Sequence, residues 1–366
     1  MKKSSKKYLV MFIAAVVAVF VAAGIHVWGF GAAGAADEAE PRPFIDLAGR
    51  VVGLPRDPQR LATFVGPTPE KILLLGAADR LVGKNAYAVA GPWAIEVYPR
   101  FKDMALFLNP MDPNVEELIA LDPDIIYYWS MPEQIEKMEA AGLTVVVTQL
   151  TSNNPATANE FIEFQKKEVN VIADSIGGTA KERARMWNSY FDRKAKLIND
   201  RVKNLKESER KKVYFGCSDD GLECFSKNSY PQFIVELAGG IFVAKNTNEE
   251  VNTTVTLEQI IAWDPDVIIM GRTDSTDGVV KDARWSEISA VKNGMVLLPP
   301  NGVMFWDYSG ECVLLMQFLA KTLYPDLFRD IDMVKETQTY YKDFYGYDLS
   351  AQNARNILSS LPPAGK

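Results

Sequence analysis

A phrase of sixteen residues is written twice in this chain. Residues 114–129 read NVEELIALDPDIIYYW and residues 256–271 read TLEQIIAWDPDVIIMG. They align without gaps, matching Glu116 to Glu258, Asp122 to Asp264, Pro123 to Pro265 and Asp124 to Asp266. A unit repeated so far apart argues for one supersecondary module used in two separate lobes. In each copy the pattern predicts a short helix, Val115–Leu121 and Leu257–Trp263. Asp-Pro stops it, because a residue before proline is pushed out of the α region. An apolar run follows at once, Ile125–Tyr128 and Val267–Met270. Such runs suit strands buried on both faces of a parallel sheet. Two α/β lobes of one plan leave a groove between them, and small ligands usually bind in such grooves.

The chain has 366 residues, enough for two ordinary domains. Its formal net charge is -7 and it shows no basic stripe, which argues against a nucleic-acid partner. The first 36 residues stand apart. Lys2, Lys3, Lys6 and Lys7 precede an apolar run from Tyr8 to Ile25, and small residues follow from Ala32 to Ala36. That order predicts a secretory signal peptide over residues 1–36. An uncleaved membrane anchor is the alternative, since the apolar run sits at the lower edge of spanning length. With no cysteine near the boundary for lipid attachment, the mature protein is expected free in the periplasm. The same segment holds a formal G-x-G-x-x-G, Gly29 to Gly34. It follows a signal core rather than a strand, so it reads as an accident of composition.

Missing chemistry narrows the function. The single histidine is His26, inside the predicted signal. The rest of the chain therefore lacks Ser-His and Cys-His nucleophile pairs and any histidine-containing zinc site. The cysteines are Cys217, Cys224 and Cys312, with no C-x-x-C. Spacing leaves the pairing of Cys217 with Cys224 open. Cys312 lies in an apolar helical stretch and reads as core.

The fold class is α/β: two Rossmann-like lobes with parallel-rich sheets, bridged by one long helix. The boundaries fall at 45–156 for the N-terminal lobe, 157–210 for the bridging segment and 211–360 for the C-terminal lobe. Residues 41–60 read as a turn-rich lead-in. The bridging helix is expected to run unbroken from Thr179 to Leu205, about 40 Å at 1.5 Å per residue, after a break at Gly177-Gly178.

Further phrases carry a resemblance. They are Leu75-Gly-Ala-Ala-Asp-Arg-Leu-Val-Gly83, the two E-x-x-x-x-x-D-P-D phrases, Leu237-Ala-Gly-Gly-Ile-Phe-Val243 and Val291-Lys-Asn-Gly-Met-Val-Leu-Leu-Pro299. Together, over roughly residues 45–330, the chain resembles the periplasmic substrate-binding proteins of ATP-driven (ABC) importers for ferric siderophores, haem and cobalamin. The resemblance implies two lobes joined by a rigid helix, an ABC permease with its ATPase subunits as partners, and no enzymatic activity. It also implies that Glu116 and Glu258 dock onto arginines of the permease. A carboxylate at a helix N-terminus suits that task physically, although the same residues would stabilise any helix start.

Ligands of parallel sheets sit beyond the carboxyl ends of the strands. The residues there predict a cleft built from Tyr87, Trp93, Arg100, Trp129, Arg272, Trp306 and Tyr308. Aromatic walls suit a bulky organic chelate, and an arginine suits an anionic group on it. No resident metal or cofactor is expected. With no histidine at hand, a metal already wrapped in a chelator is a better cargo than a bare ion. A ferric siderophore is the first expectation, with haem or cobalamin as the alternative, bound by a monomer. A secreted enzyme using carboxylates such as Asp219 and Asp220 is the competing class.

Overall fold

In the computed structural model, residues 40–151, 155–247 and 251–364 are described. The predicted signal and His26 lie outside them. Among the described residues no helix is long and apolar enough to cross a membrane.

The lead-in is more ordered than its turn-rich sequence suggests. Strands β1 (Arg42–Ile45) and β2 (Val51–Leu54) pair as an antiparallel hairpin. The buried Asp46 carboxylate accepts from the backbone N–H groups of Ala48, Arg50 and Val147. The hairpin is thereby held against the edge of the first sheet.

That sheet has five parallel strands: β3 (Leu61–Thr63), β4 (Leu81–Asn85), β5 (Ala105–Phe107), β6 (Ile125–Trp129) and β7 (Val145–Gln149), in the order β5-β4-β3-β6-β7. The second sheet has six strands. Strands β8 (Lys212–Gly216), β12 (Val267–Met270) and the edge strand β13 (Val296–Leu297) are parallel, and β10 (Ile241–Phe242) runs parallel to the start of β8. The short β9 (Glu223–Phe225) and β11 (Asn252–Thr254) add an antiparallel edge. The two copies of the repeated phrase thus belong to different sheets, with β6 an inner strand of one and β12 an inner strand of the other.

The D-P-D phrase does local work in both places. Helix α2 (Val115–Leu121) is capped by the Asn114 side chain, and α7 (Leu257–Trp263) by a reciprocal Thr256–Gln259 capping box. Each helix ends on an aspartate in the left-handed region, Asp122 at φ 49° and Asp264 at φ 43°. The pre-proline residue is expelled from the right-handed region as expected, but into αL rather than an extended conformation. The second aspartate then fixes strand register. Asp124 accepts from the N–H groups of Gln59 and Arg60 at 2.6 and 2.9 Å, just ahead of β3. Asp266 accepts from the N–H of Lys212 at 2.8 Å, at the start of β8.

Helices join the halves. The fully buried α1 (Thr68–Leu74) lies between β3 and β4, α3 (Pro132–Ala140) between β6 and β7, and α6 (Tyr230–Leu237) between β9 and β10. Between the sheets run α4 (Ala158–Ile176) and α5 (Ala180–Val202), turned at Gly177 and Gly178, both at positive φ. Helix α5 is somewhat shorter than the predicted Thr179–Leu205. Near its start, Arg183 donates to the Leu74 carbonyl at the end of α1. At its end, Val202 packs so closely on Gly239 that a Cβ there would come within 2.8 Å. The helix therefore touches both halves. Main-core residues come from both sheets, including Tyr127 and Val146 of the first and Val213 and Ile268 of the second.

Ionisable side chains are buried at this junction. The Lys71 ammonium on α1 bonds the Glu168 carboxylate on α4. Glu70 accepts from the Gly310 N–H at 2.8 Å and the Tyr345 hydroxyl at 2.5 Å. Glu311, just before helix α8 (Cys312–Leu323), accepts from the Met304 N–H at 3.0 Å and the Tyr341 hydroxyl at 2.7 Å. Burial first, and the neighbouring Glu70 second, push the Glu311 carboxyl up to about 8.

Two outcomes are expected. Asp124→Ala and Asp266→Ala should each lower the unfolding free energy in urea by about 1–2 kcal/mol, with Asn at either site costing less because its amide oxygen still accepts. Glu311 is protonated in the native protein at pH 7, whereas it ionises near 4.5 when unfolded. Its contribution is complete below the lower value and is lost as pH rises towards 8. Glu311→Gln should therefore flatten the fall in stability from about pH 5 to 8. An unchanged pH slope in thermal melts would contradict this assignment.

Candidate functional site

The carboxyl ends of the strands open onto a cleft of about 680 Å³. The first half supplies Tyr87 after β4, Trp129 at the end of β6, and Gln149 to Thr151 from the end of β7. The second supplies Phe225 from β9, Tyr230 from α6, Arg272 after β12, and Met304, Phe305, Asp307 and Tyr308 from an irregular loop. Met111, Met131 and Met304 add adaptable apolar surface.

Gln149 organises the junction of the two sides. Its amide oxygen accepts from the Trp129 indole at 2.9 Å and from the Tyr308 hydroxyl at 3.3 Å, and its nitrogen donates to the Tyr230 hydroxyl at 3.3 Å. Tyr230 and Tyr308 lie 5.9 Å apart between ring centres. Burial pushes the Tyr308 phenol up to about 12 and the Tyr230 phenol well above its ordinary range, so both stay neutral.

The loop bearing Met304 to Tyr308 is fastened at both ends by buried glutamate side chains. Glu311 holds the Met304 N–H and Glu70 holds the Gly310 N–H. Gly302 is needed because a Cβ there would lie 2.2 Å from the Glu311 carboxyl and 2.3 Å from the Tyr341 hydroxyl. Arg272 stands at φ 60° and makes two parallel bonds to Asp307, at 2.7 and 2.8 Å. Its guanidinium lies 4.1 Å from the Phe305 ring centre and 5.4 Å from that of Phe225. Among the described residues lining the cleft, Arg272 is the only cation and Asp307 the only carboxylate, so the wall is neutral as a whole.

Of the residues predicted for this site, Tyr87, Trp129, Arg272 and Tyr308 line the cleft. Three do not. Trp93 is buried in the short helix Pro92–Val97 and its indole donates to the Leu361 carbonyl, holding the C-terminal segment. Arg100 is exposed on a turn of 3-10 helix (Pro99–Asp103) away from the cleft. Trp306 points into the core, with its indole nitrogen over Gly302, while Phe305 and Asp307 on either side face the cleft. Glu116 and Glu258 sit exposed in the first turns of α2 and α7. The Glu258 carboxyl is held below its usual range by its own backbone N–H and the Thr256 hydroxyl.

Gln149, Phe225, Tyr230 and Asp307 line the cleft in addition to the predicted residues. Gln149 closes β7, so its place at a strand end marks it as a cleft candidate. Nothing local marks the other three. Asp219 and Asp220 lie outside the lining and are bonded to Thr273 and Ser218. Cys217, Cys224 and Cys312 are free thiols. Among the described residues, no group of three or more His, Cys, Asp or Glu side chains is placed to hold a metal.

Comparison with known proteins agrees with this architecture. Residues 67–301 match the family described as periplasmic binding protein. Over 326 residues the chain is 26% identical to the molybdate-binding protein MolA of Haemophilus influenzae, covering 84% of this chain and 89% of that protein. The vitamin B12-binding protein of Vibrio cholerae is 22% identical over 261 residues, 69% of this chain and 85% of that one. The crystal structure of MolA bound to molybdate matches with a TM-score of 0.76 at 25% identity, over 84% of this chain and 99% of its own. A periplasmic solute-binding protein from Veillonella parvula shares the fold, with a TM-score of 0.75 at 23% identity over 87% and 97% of the two chains. The chain belongs to the periplasmic binding protein family, as a substrate-binding protein of an ABC importer.

Proposed function

We propose that the protein is exported to the periplasm, captures a metal chelate in the cleft, a ferric siderophore before haem or cobalamin, and delivers it to an ABC permease. The observation that carries this reading is the cleft wall: large, aromatic and neutral. A volume of about 680 Å³ lies within the range of sites for whole organic ligands. Tyr87, Trp129, Tyr230, Phe305 and Tyr308 offer flat apolar faces with few hydrogen-bonding edges. The phenols of Tyr230 and Tyr308 are protonated and engaged by Gln149, which favours a metal that arrives already ligated.

The likeness to MolA favours a second cargo, a tetrahedral oxyanion. Such an anion needs convergent donors or cations, and the cleft's cation is bonded to Asp307. Tryptophan-fluorescence titration with hydroxamate and catecholate ferric chelates, haemin, cobalamin and molybdate separates the readings. A ferric chelate is expected to bind with micromolar affinity or better, and Trp129→Ala to weaken it about tenfold or more. Binding of molybdate alone would overturn the chelate reading.

Glu116 and Glu258 occupy equivalent first turns of equivalent helices, which supports a two-point contact with the permease. The double substitution Glu116→Ala/Glu258→Ala should leave cargo affinity unchanged in vitro and abolish most uptake in cells. Normal uptake would remove the docking role.

A further inference from the structure

The Arg272–Asp307 pair has the form of an occupied receptor. A planar guanidinium giving two parallel bonds to one carboxylate is the geometry with which arginine binds oxyanions. Here the carboxylate belongs to the protein. Asp307 is only 3% exposed, whereas Arg272 keeps 28% of its side chain open. The arginine does not depend on Asp307 alone for its position. The rings of Phe225 and Phe305 flank its guanidinium, and its left-handed backbone directs it from the end of β12. Gly271 permits the turn, since a Cβ there would come within 2.8 Å of the Phe215 ring. Behind the pair lies a smaller cavity of about 170 Å³, bordered by Arg272, Asp307 and the polar residues Thr273, Asp274 and Asn301. The pair therefore divides the cleft from a second, more polar space.

We propose that Asp307 is a specificity-determining residue: it occupies the oxyanion position on Arg272, so that the cleft refuses free oxyanions and keeps a neutral wall for a bulkier cargo. The inference rests on this cleft being the cargo site. A carboxylate fixed beside its partner by the fold competes at an effective concentration on the order of millimolar or more. A free anion must displace it, and must then leave the Asp307 charge buried and unpaired. Rejecting the wrong ligand by an element built against it is a common route to specificity. Removing only that charge should leave the flanked arginine in place with its donors open.

The test is calorimetric titration of molybdate and of sulfate into the full-length protein and into Asp307→Asn, at one fixed low ionic strength. Wild type should show no saturable binding. Asp307→Asn should gain saturable oxyanion binding, an increase of at least tenfold in association constant, and Arg272→Gln/Asp307→Asn should lose it again. Asp307→Ser serves as the second variant if the asparagine protein fails to give a cooperative melt. Two results overturn the proposal: a folded Asp307 variant that binds neither anion, or a wild type that binds molybdate as tightly as the variant does. Ferric-chelate titration of wild type is read separately. Oxyanion gain without chelate binding sinks the cargo reading and keeps Asp307 as the selector. Chelate binding without oxyanion gain does the reverse.

Discussion

One seven-residue helix ties the molecule together through two buried charges of opposite sign. Helix α1 shows no exposed residue, and it carries Glu70 and Lys71 side by side. Neighbouring residues on a helix point in different directions, so the two reach different partners. Lys71 engages α4 through Glu168 and Gln165, and Glu70 engages the Gly310 backbone and Tyr345. A buried ion pair adds little net stability over apolar packing, but losing one partner costs about 3–5 kcal/mol. Its value here is geometric. The first sheet, the helical pair between the sheets and the loop before α8 are all referenced to the same short helix.

The cleft inherits its shape from that junction. The loop carrying Met304 to Tyr308 has no regular structure of its own, yet both its ends are held by the buried side chains of Glu311 and Glu70. Gln149 then bonds one aromatic residue from the first half and two from the second. Recognition surface is thus carried on an irregular segment whose anchor points are rigid, the arrangement that positions a binding site without locking every side chain.

The architecture was legible where residues act on near neighbours in sequence. The repeated phrase gave both helices, both strands and their separation into two sheets, because Asp-Pro and the apolar runs work locally. It did not reveal why a second aspartate follows the proline, since Asp124 and Asp266 act on strands more than fifty residues earlier. The hairpin of β1 and β2 is hard to see in the sequence, because strands of four residues around Pro43 and Gly53 carry little alternation. Trp93 and Trp306 depart from the expected cleft for a different reason. Aromatic composition marks a loop as important but does not say which way each ring faces. In the pinned loop, Phe305, Trp306 and Asp307 diverge with no period to follow. Nothing near Glu70 and Lys71 in the sequence marks them as buried, because their partners lie far along the chain.

The two aspartates that set strand register sit at the amino ends of β6 and β12, while the cleft lies beyond the carboxyl ends of the same strands. Alignment and recognition are therefore handled by residues that never share a position. Such a division makes the scaffold easy to retool. Mutational drift among Trp129, Arg272 and their neighbours can exchange one cargo for another while the pairing of the strands stays untouched.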